Sequence, residues 1–227
     1  MADVIPSAVE RAARSVCRLQ HGDKAPFTGV CITKNFLLTA GHEIQNEAAA
    51  EHLLAIFNLI SGVSVELREV FTLNPREIES WYPKYAGKTP DLSTLNDPTL
   101  LEYCVCRANK NIRGAKLGNE PRQASLIAAP PISTAADQRV YVVSLMEMGQ
   151  LQQTLSGTIS QVGDYFFTYT AISAGKVSVG PGDSGSPVFD ADGNLIGIHV
   201  DKTGSTPIAC RADKIWALLP NAVHGDK

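Results

Sequence analysis

The chain is predicted to be all-β: two Greek-key antiparallel β-barrels with short N- and C-terminal helices. Three observations predict it. Short apolar segments of β-type composition recur along the chain, separated by turn residues. Helical spacing of apolar residues is found near the two ends. The length, 227 residues, suits one large domain or two small barrels.

In order, Ser7-Ala8-Val9-Glu10 has the spacing of a capping box after Pro6, and Ala8, Val9, Ala12 and Ala13 repeat at helical spacing, so a short amphipathic helix opens the chain. A first strand is expected around Ser15 to Gln20. Strands are then expected over Phe27 to Thr33, Phe36 to Ala40, Leu53 to Asn58, Val63 to Phe71 and Leu100 to Arg107. These make the first barrel, residues 1–118. Gly118-Asn119-Glu120-Pro121-Arg122 is the expected crossing. The second barrel, residues 119–227, is expected to use Val140 to Leu145, Thr154 to Val162, Tyr165 to Thr170, Ser186 to Phe189 and Leu195 to Val200. Asp192-Gly193-Asn194 supplies a tight hairpin between the last two. Ala212 to Leu219 reads as a terminal helix stopped by Pro220, and Asn74 to Pro98 as a long surface loop.

Composition narrows the function. Hydrophobic residues are 44% and charged residues 19%, and no apolar run is long enough to span a bilayer, so no membrane partner is expected. A formal charge of -3 without a dense Lys/Arg block gives no electrostatic reason to expect nucleic acid. Met1-Ala2-Asp3-Val4-Ile5 has neither the basic start nor the apolar core of a secretory signal, which points to the cytoplasm. Five cysteines, an odd number, fit free thiols. Cys104 and Cys106 lack further ligands at metal-site spacing, so no metal and no cofactor are expected.

Two segments carry chemistry. Gly180-Pro181-Gly182-Asp183-Ser184-Gly185-Ser186-Pro187-Val188-Phe189 puts a serine in a glycine-lined turn before an apolar strand, where the Gly182 and Ser184 amides can point at a developing oxyanion. Leu37-Leu38-Thr39-Ala40-Gly41-His42 runs an apolar strand into a histidine, a group that takes and returns a proton near neutral pH. In this order, LTAGH and GDSGSP resemble the signature segments of the trypsin/chymotrypsin-like serine proteases. The resemblance implies a chymotrypsin-like pair of barrels and an acyl-enzyme mechanism on a protein or peptide substrate. Ser184 would be the nucleophile, His42 the general base, and Gly182 and Ser184 the oxyanion hole.

The acid that orients His42 is expected to be Glu102, in Leu101-Glu102-Tyr103-Cys104-Val105-Cys106-Arg107, with Asp97 and Asp91 as alternatives. Most family members have Asp at this place. Certain picornaviral chymotrypsin-like cysteine proteases use Glu, and Asn111 and Arg113 extend the likeness to them. Gly197-Ile198-His199 resembles the matching segment of staphylococcal glutamyl endopeptidases and of the picornaviral enzymes. There the histidine lines the S1 pocket and recognises Glu or Gln. The pocket would be formed by His199 with Ser178, Val179 and Lys202; Val179 stands where both groups have Thr. In secreted relatives a freed amino terminus pairs with an Asp at the position of Asp183. No such cleavage site precedes the first strand here, so the partner of Asp183 is left open. A cytoplasmic protease without that control implies narrow specificity or an activating protein partner.

Two other classes were weighed. A catalytically silent protease fold serving as a binding or assembly module would lack a carboxylate at His42. An α/β-hydrolase fits poorly, because Ser186 fills the last glycine position of G-x-S-x-G and that fold would want its acid and histidine after the serine, whereas His42 and Glu102 precede Ser184.

Overall fold

Strand segments that are apolar on both faces dominate the chain, as expected for elements buried between layers. The computed structural model describes residues 4–22, 25–44, 46–50, 53–58, 68–72, 81–108, 116–117, 120–121, 134–145, 151–173, 176–177, 179–180 and 182–225. Two antiparallel sheets contain most of them. The first comprises β1 (Val16–Gln20), β2 (Phe27–Cys31), β3 (Phe36–Thr39), β4 (Leu54–Asn58), β5 (Arg68–Thr72), β6 (Trp81–Lys84) and β7 (Tyr103–Arg107). Their order is β5-β4-β1-β2-β3-β7-β6.

A short hairpin, β8 (Lys116–Leu117) and β9 (Glu120–Pro121), follows. The second sheet holds β10 (Arg139–Leu145), β11 (Leu151–Val162), β12 (Phe166–Tyr169), β13 (Ile172–Ser173), β14 (Lys176–Val177), β15 (Pro187–Phe189), β16 (Leu195–Thr203) and β17 (Thr206–Arg211). Its order is β10-β15-β16-β17-β12-β11-β13-β14, and β10 also pairs with β11. That extra pairing closes six strands into a barrel and removes their open edges. This is the chymotrypsin-like all-β architecture.

Three apolar clusters hold the layers. Val30, Leu38 and Val105 of the first sheet pack in one cluster with Val143, Phe166 and Ile198 of the second, and with Ile215 of the C-terminal helix. This joint core fastens the sheets to one another, each fully buried Val, Leu, Ile or Phe contributing roughly 1.5–3 kcal/mol. A second cluster, including Leu19, Leu37 and Phe57, belongs to the first sheet. A third, including Val142, Phe167 and Val188, belongs to the second.

Helices α1 (Ser7–Ala13), α2 (Glu47–Ala50), α3 (Ala212–Leu218) and α4 (Asn221–His224) are short. In α1 the N-cap is Pro6 and not Ser7, and no side chain caps it. Extended Pro6 already directs the chain into the first turn, and Ser7 instead accepts from Arg11 across one turn. Pro220 ends α3 and then caps α4, a helix the sequence reading missed. The Asp192–Asn194 turn is a hairpin as expected: Asp190 Oδ1 accepts from the Asp192 and Asn194 amides at 3.0 and 2.9 Å.

Several boundaries shift. The expected surface loop contains β6, an edge strand that accommodates Pro83 because an edge does not need every amide to donate. Its residues 74–80 lie outside the described residues, as do 63–67 of the expected fourth interval and 118–119 of the expected crossing. Leu100 closes a 3-10 turn, so β7 begins after Glu102. β17 was hidden by the turn-like composition of Thr203-Gly204-Ser205-Thr206-Pro207, in which Gly204 takes φ +62.

Candidate active site

Strand β3 ends at Thr39, and a single 3-10 turn over Gly41–Glu43 swings His42 to the rim of the first sheet. Ser184 lies in the turn that leads into β15. Two bonds from β2 fasten that turn across the cleft: Thr28 N–H donates to the Ser184 carbonyl and Thr28 Oγ1 to the Gly182 carbonyl, both at 3.0 Å. Gly185 has φ +83, and a Cβ there would stand 2.1 Å from the Thr28 carbonyl oxygen. Any side chain at this position would push the nucleophile turn off β2.

The three side chains meet. Ser184 Oγ is 2.9 Å from His42 Nε2. His42 Nδ1 is 2.9 Å from Glu102 Oε2, which also accepts from the His42 backbone N–H at 2.9 Å. One carboxylate oxygen thus fixes both the ring and the backbone of the histidine, and it selects the tautomer with the proton on Nδ1. Glu102 is fully buried. The longer Glu reaches His42 because it sits just before β7, where the chain leaves the 3-10 turn. Asp91 is exposed and Asp97 half-buried, and both are occupied locally, by Ser93 and Thr99.

Electrostatics at His42 oppose each other. Burial pulls its pKa down, but hydrogen bonds with Glu102 and Glu43, and the charges of both, outweigh burial and push it up to about 10. Glu43 was not foreseen. Its Oε1 lies 3.4 Å from Nε2, on the nitrogen that also faces Ser184. Adjacency to His42 was the available signal, though chain neighbours seldom face one another in regular structure.

Gly182 takes φ +95. Among the described residues, the Gly182 and Ser184 amides have no acceptor. Between them stands Asp183, 4% exposed, whose partner the sequence left open. Ser144, fully buried on β10, hydrogen-bonds to Asp183 Oδ1. The Gly180 N–H donates to Oδ2 at 2.7 Å, and Asp183 returns its own N–H to the Gly180 carbonyl. Burial raises the Asp183 pKa against these bonds and the charge of Lys202. The only signal for Ser144 was a polar residue inside Val140-Tyr141-Val142-Val143-Ser144.

His199 is joined to the nucleophile turn through the backbone, donating to the Ser186 carbonyl and accepting from Gly185 N–H, both at 2.8 Å. Its Nδ1 lies 2.9 Å from the hydroxyl of fully buried Tyr169, a partner sequence reasoning missed. Burial pushes His199 down to about 4, against Asp201 and with help from His42 and Lys202, so the ring is neutral at pH 7. Burial raises the Tyr169 phenol well above its usual value. Tyr169 keeps its proton and can donate it to Nδ1, the arrangement that makes Nε2–H a donor; Nε2 has no partner among the described residues. Val179 is buried beside this region, and exposed Lys202 donates to its carbonyl at 3.4 Å. Ser178 lies outside the described residues.

All five cysteines are free and buried. Cys104 and Cys106 place their sulfurs 3.5 Å apart within the apolar cluster of the first sheet. Among the described residues no cluster of His, Cys, Asp and Glu is arranged to hold a metal ion.

Solved structures share this architecture at low identity. Human heparin binding protein superposes with a TM-score of 0.63 at 13% identity, over 91% of each chain. A Glu endopeptidase gives 0.64 at 15%, over 99% of this chain and 96% of that one. Rv3671c from M. tuberculosis, in an inactive form, gives 0.57 at 14%, over 97% and 92%. No curated protein matches by sequence. The trypsin-like peptidase domain matches residues 27–198, a span that holds His42, Glu102 and Ser184, and the chain belongs to that family.

Proposed function

We propose that the protein is an intracellular serine endopeptidase that cleaves after Gln or Glu through an acyl-enzyme. The observation that carries the reading is the continuous hydrogen-bonded line from Ser184 through His42 to a buried carboxylate. Ser184 Oγ attacks the scissile carbonyl carbon while its proton passes to His42 Nε2. The oxyanion forms beside the Gly182 and Ser184 amides, which have no acceptor among the described residues. The C–N bond then breaks as Nε2–H protonates the departing amine. Water, deprotonated by His42, attacks the acyl carbon and releases Ser184. Glu102 stabilises the imidazolium without taking its proton.

His199 supports the preference before the scissile bond. A neutral Nε2–H donor satisfies the side-chain oxygen of Gln without leaving a buried charge. A Glu carboxylate would need further help, for which Lys202, whose Nζ reaches the Val179 carbonyl, is the candidate cation. The likeness to a Glu endopeptidase is compatible with this pocket but carries the fold alone. Five buried free thiols suit a reducing compartment, and no helix among the described residues is long and apolar enough to cross a membrane.

A fluorophosphonate probe tests the chemistry. Labelling of the folded chain that disappears in Ser184→Ala is expected, and a peptide library should then show cleavage after Gln and Glu. No labelling would leave a binding module. Cleavage mainly after Arg, Lys or Phe would remove His199 from the pocket.

A further inference from the structure

Glu43 is a carboxylate that the triad does not need. It follows His42 in the same 3-10 turn, its side chain is 28% exposed, and its Oε1 lies 3.4 Å from His42 Nε2. Glu102 already holds Nδ1, so the ring has a carboxylate on each nitrogen. Among the described residues Glu43 pairs with no Lys or Arg. A solvent-facing charge without a basic partner is thus held against the nitrogen that must move protons.

The chemistry of the cleavage locates this charge relative to a substrate. Nε2 takes the proton of Ser184 and delivers it to the departing amine, so that amine nitrogen must come within hydrogen-bond distance of Nε2. This puts the departing nitrogen within roughly 6 Å of the Glu43 carboxylate, inside the span of a Lys or Arg side chain. The residue that bears the nitrogen is the one just after the scissile bond, P1′. His199 lies elsewhere, bonded through its backbone to Gly185 and Ser186, and serves the residue before the bond.

We propose that Glu43 determines specificity on the leaving side, selecting substrates with Lys or Arg at P1′, whose charge draws the carboxylate away from His42 Nε2. This rests on the serine-endopeptidase reading. The pairing has a kinetic consequence. Two carboxylates on its ring bias His42 toward its protonated form, and a protonated imidazole cannot accept the Ser184 proton. Tyr85, with ring centroids 6.1 Å apart, and His199, whose coupling with His42 is repulsive, also lie near the ring. Neither offers Nε2 a competing negative charge at neutral pH. A basic P1′ side chain therefore both binds and releases the general base.

The test uses the full chain, with active sites counted by fluorophosphonate, on peptides that share P1 Gln and differ only in Lys, Ala or Glu at P1′. Wild type should cleave the Lys peptide about two- to tenfold faster than the Ala peptide in kcat/KM, as for a half-exposed ion pair, and the Glu peptide more slowly still. Glu43→Gln should collapse that spread and move the acid limb of the kcat/KM profile to lower pH. Glu43→Lys should reverse the order of the Lys and Glu peptides. A spread in Glu43→Gln equal to that of wild type would overturn the assignment, as would a flat P1′ profile in labelled, cleaving wild type. Absence of labelling in wild type would overturn the endopeptidase reading and this assignment with it.

Discussion

Ser144→Ala probes whether the oxyanion amides are held by a buried contact made within the folded chain. Asp183 separates the Gly182 and Ser184 amides, its carbonyl accepts from Ser186 N–H, and its carboxylate is held by Ser144 and by the Gly180 N–H. Removing the Ser144 hydroxyl leaves Oδ1 of a 4% exposed carboxylate without that partner. Such a loss costs about 1–3 kcal/mol. If the turn relaxes to recover that energy, the competent fraction falls by about five- to a hundredfold, since 1.4 kcal/mol is a factor of ten. The loss should appear in kcat with KM little changed, because both amides act on the transition state.

Ser144→Ala, Asp183→Asn and the double variant, measured for kcat, KM and thermal midpoint, form a cycle that isolates the pair. The pH dependence has a definite sign. Asp183 has a folded pKa raised by burial, so its charged form already costs stability as pH rises through that pKa. Ser144 supports the charged form, and the penalty of Ser144→Ala should shrink on acidification. Additive effects of the two substitutions, or a lowered midpoint with unchanged kcat, would refute the reasoning and leave Ser144 a packing residue.

Three further outcomes follow from the site. Glu102→Gln keeps the shape of the acid but removes its charge and the tautomer preference, so kcat should fall by about 10³–10⁴-fold with folding retained, as steady-state kinetics and circular dichroism would show. His199 must gain a proton on unfolding. Its folded pKa of about 4 lies below the ordinary 6.5, so stability is fully present above pH 6.5 and is lost as pH falls toward 4, by about 3 kcal/mol. Urea unfolding across that range should show the slope, and Tyr169→Phe should weaken the choice between Gln and other P1 residues by freeing the His199 tautomer.

What was legible in the sequence was what chemistry writes locally. Ser184 and His42 stand in short motifs whose glycines are dictated by backbone approach, as Gly185 shows against Thr28. Glu102 could be ranked above Asp91 and Asp97 because it opens an apolar strand that ends in Arg107, which resembles the family segment that carries the acid. Ser144, Tyr169 and Glu43 were not legible as site residues. The first two sit on apolar strands, and their roles depend on non-local strand pairing, which brings β10 beside β15 and β12 beside β17. β6 and β17 escaped for a related reason, because Pro83 and Pro207 look like breaks until edge position and hairpin partner are known.

The two imidazoles of the cleft are tuned in opposite directions, and this bears on which peptide bond suits the site. His42 has carboxylates on both nitrogens and is driven toward the cation; His199 is buried against a phenol and driven toward the neutral ring. Their repulsion reinforces the split, since a proton on His42 makes one on His199 more costly. Before the scissile bond the site then offers a neutral donor, which suits an amide, and after it a carboxylate with no Lys or Arg partner among the described residues, which suits a cation. A Gln followed by Lys or Arg satisfies both ends at once. Glu at P1 would need the charge of Lys202 to balance its own beside that neutral ring, and an acidic P1′ would leave His42 with its proton. A proteome-wide cleavage map, wild type against Ser184→Ala, should therefore show the two preferences together in the same peptides. Independent preferences, with Gln sites indifferent to the next residue, would separate the pocket from the leaving side and leave Glu43 outside substrate recognition.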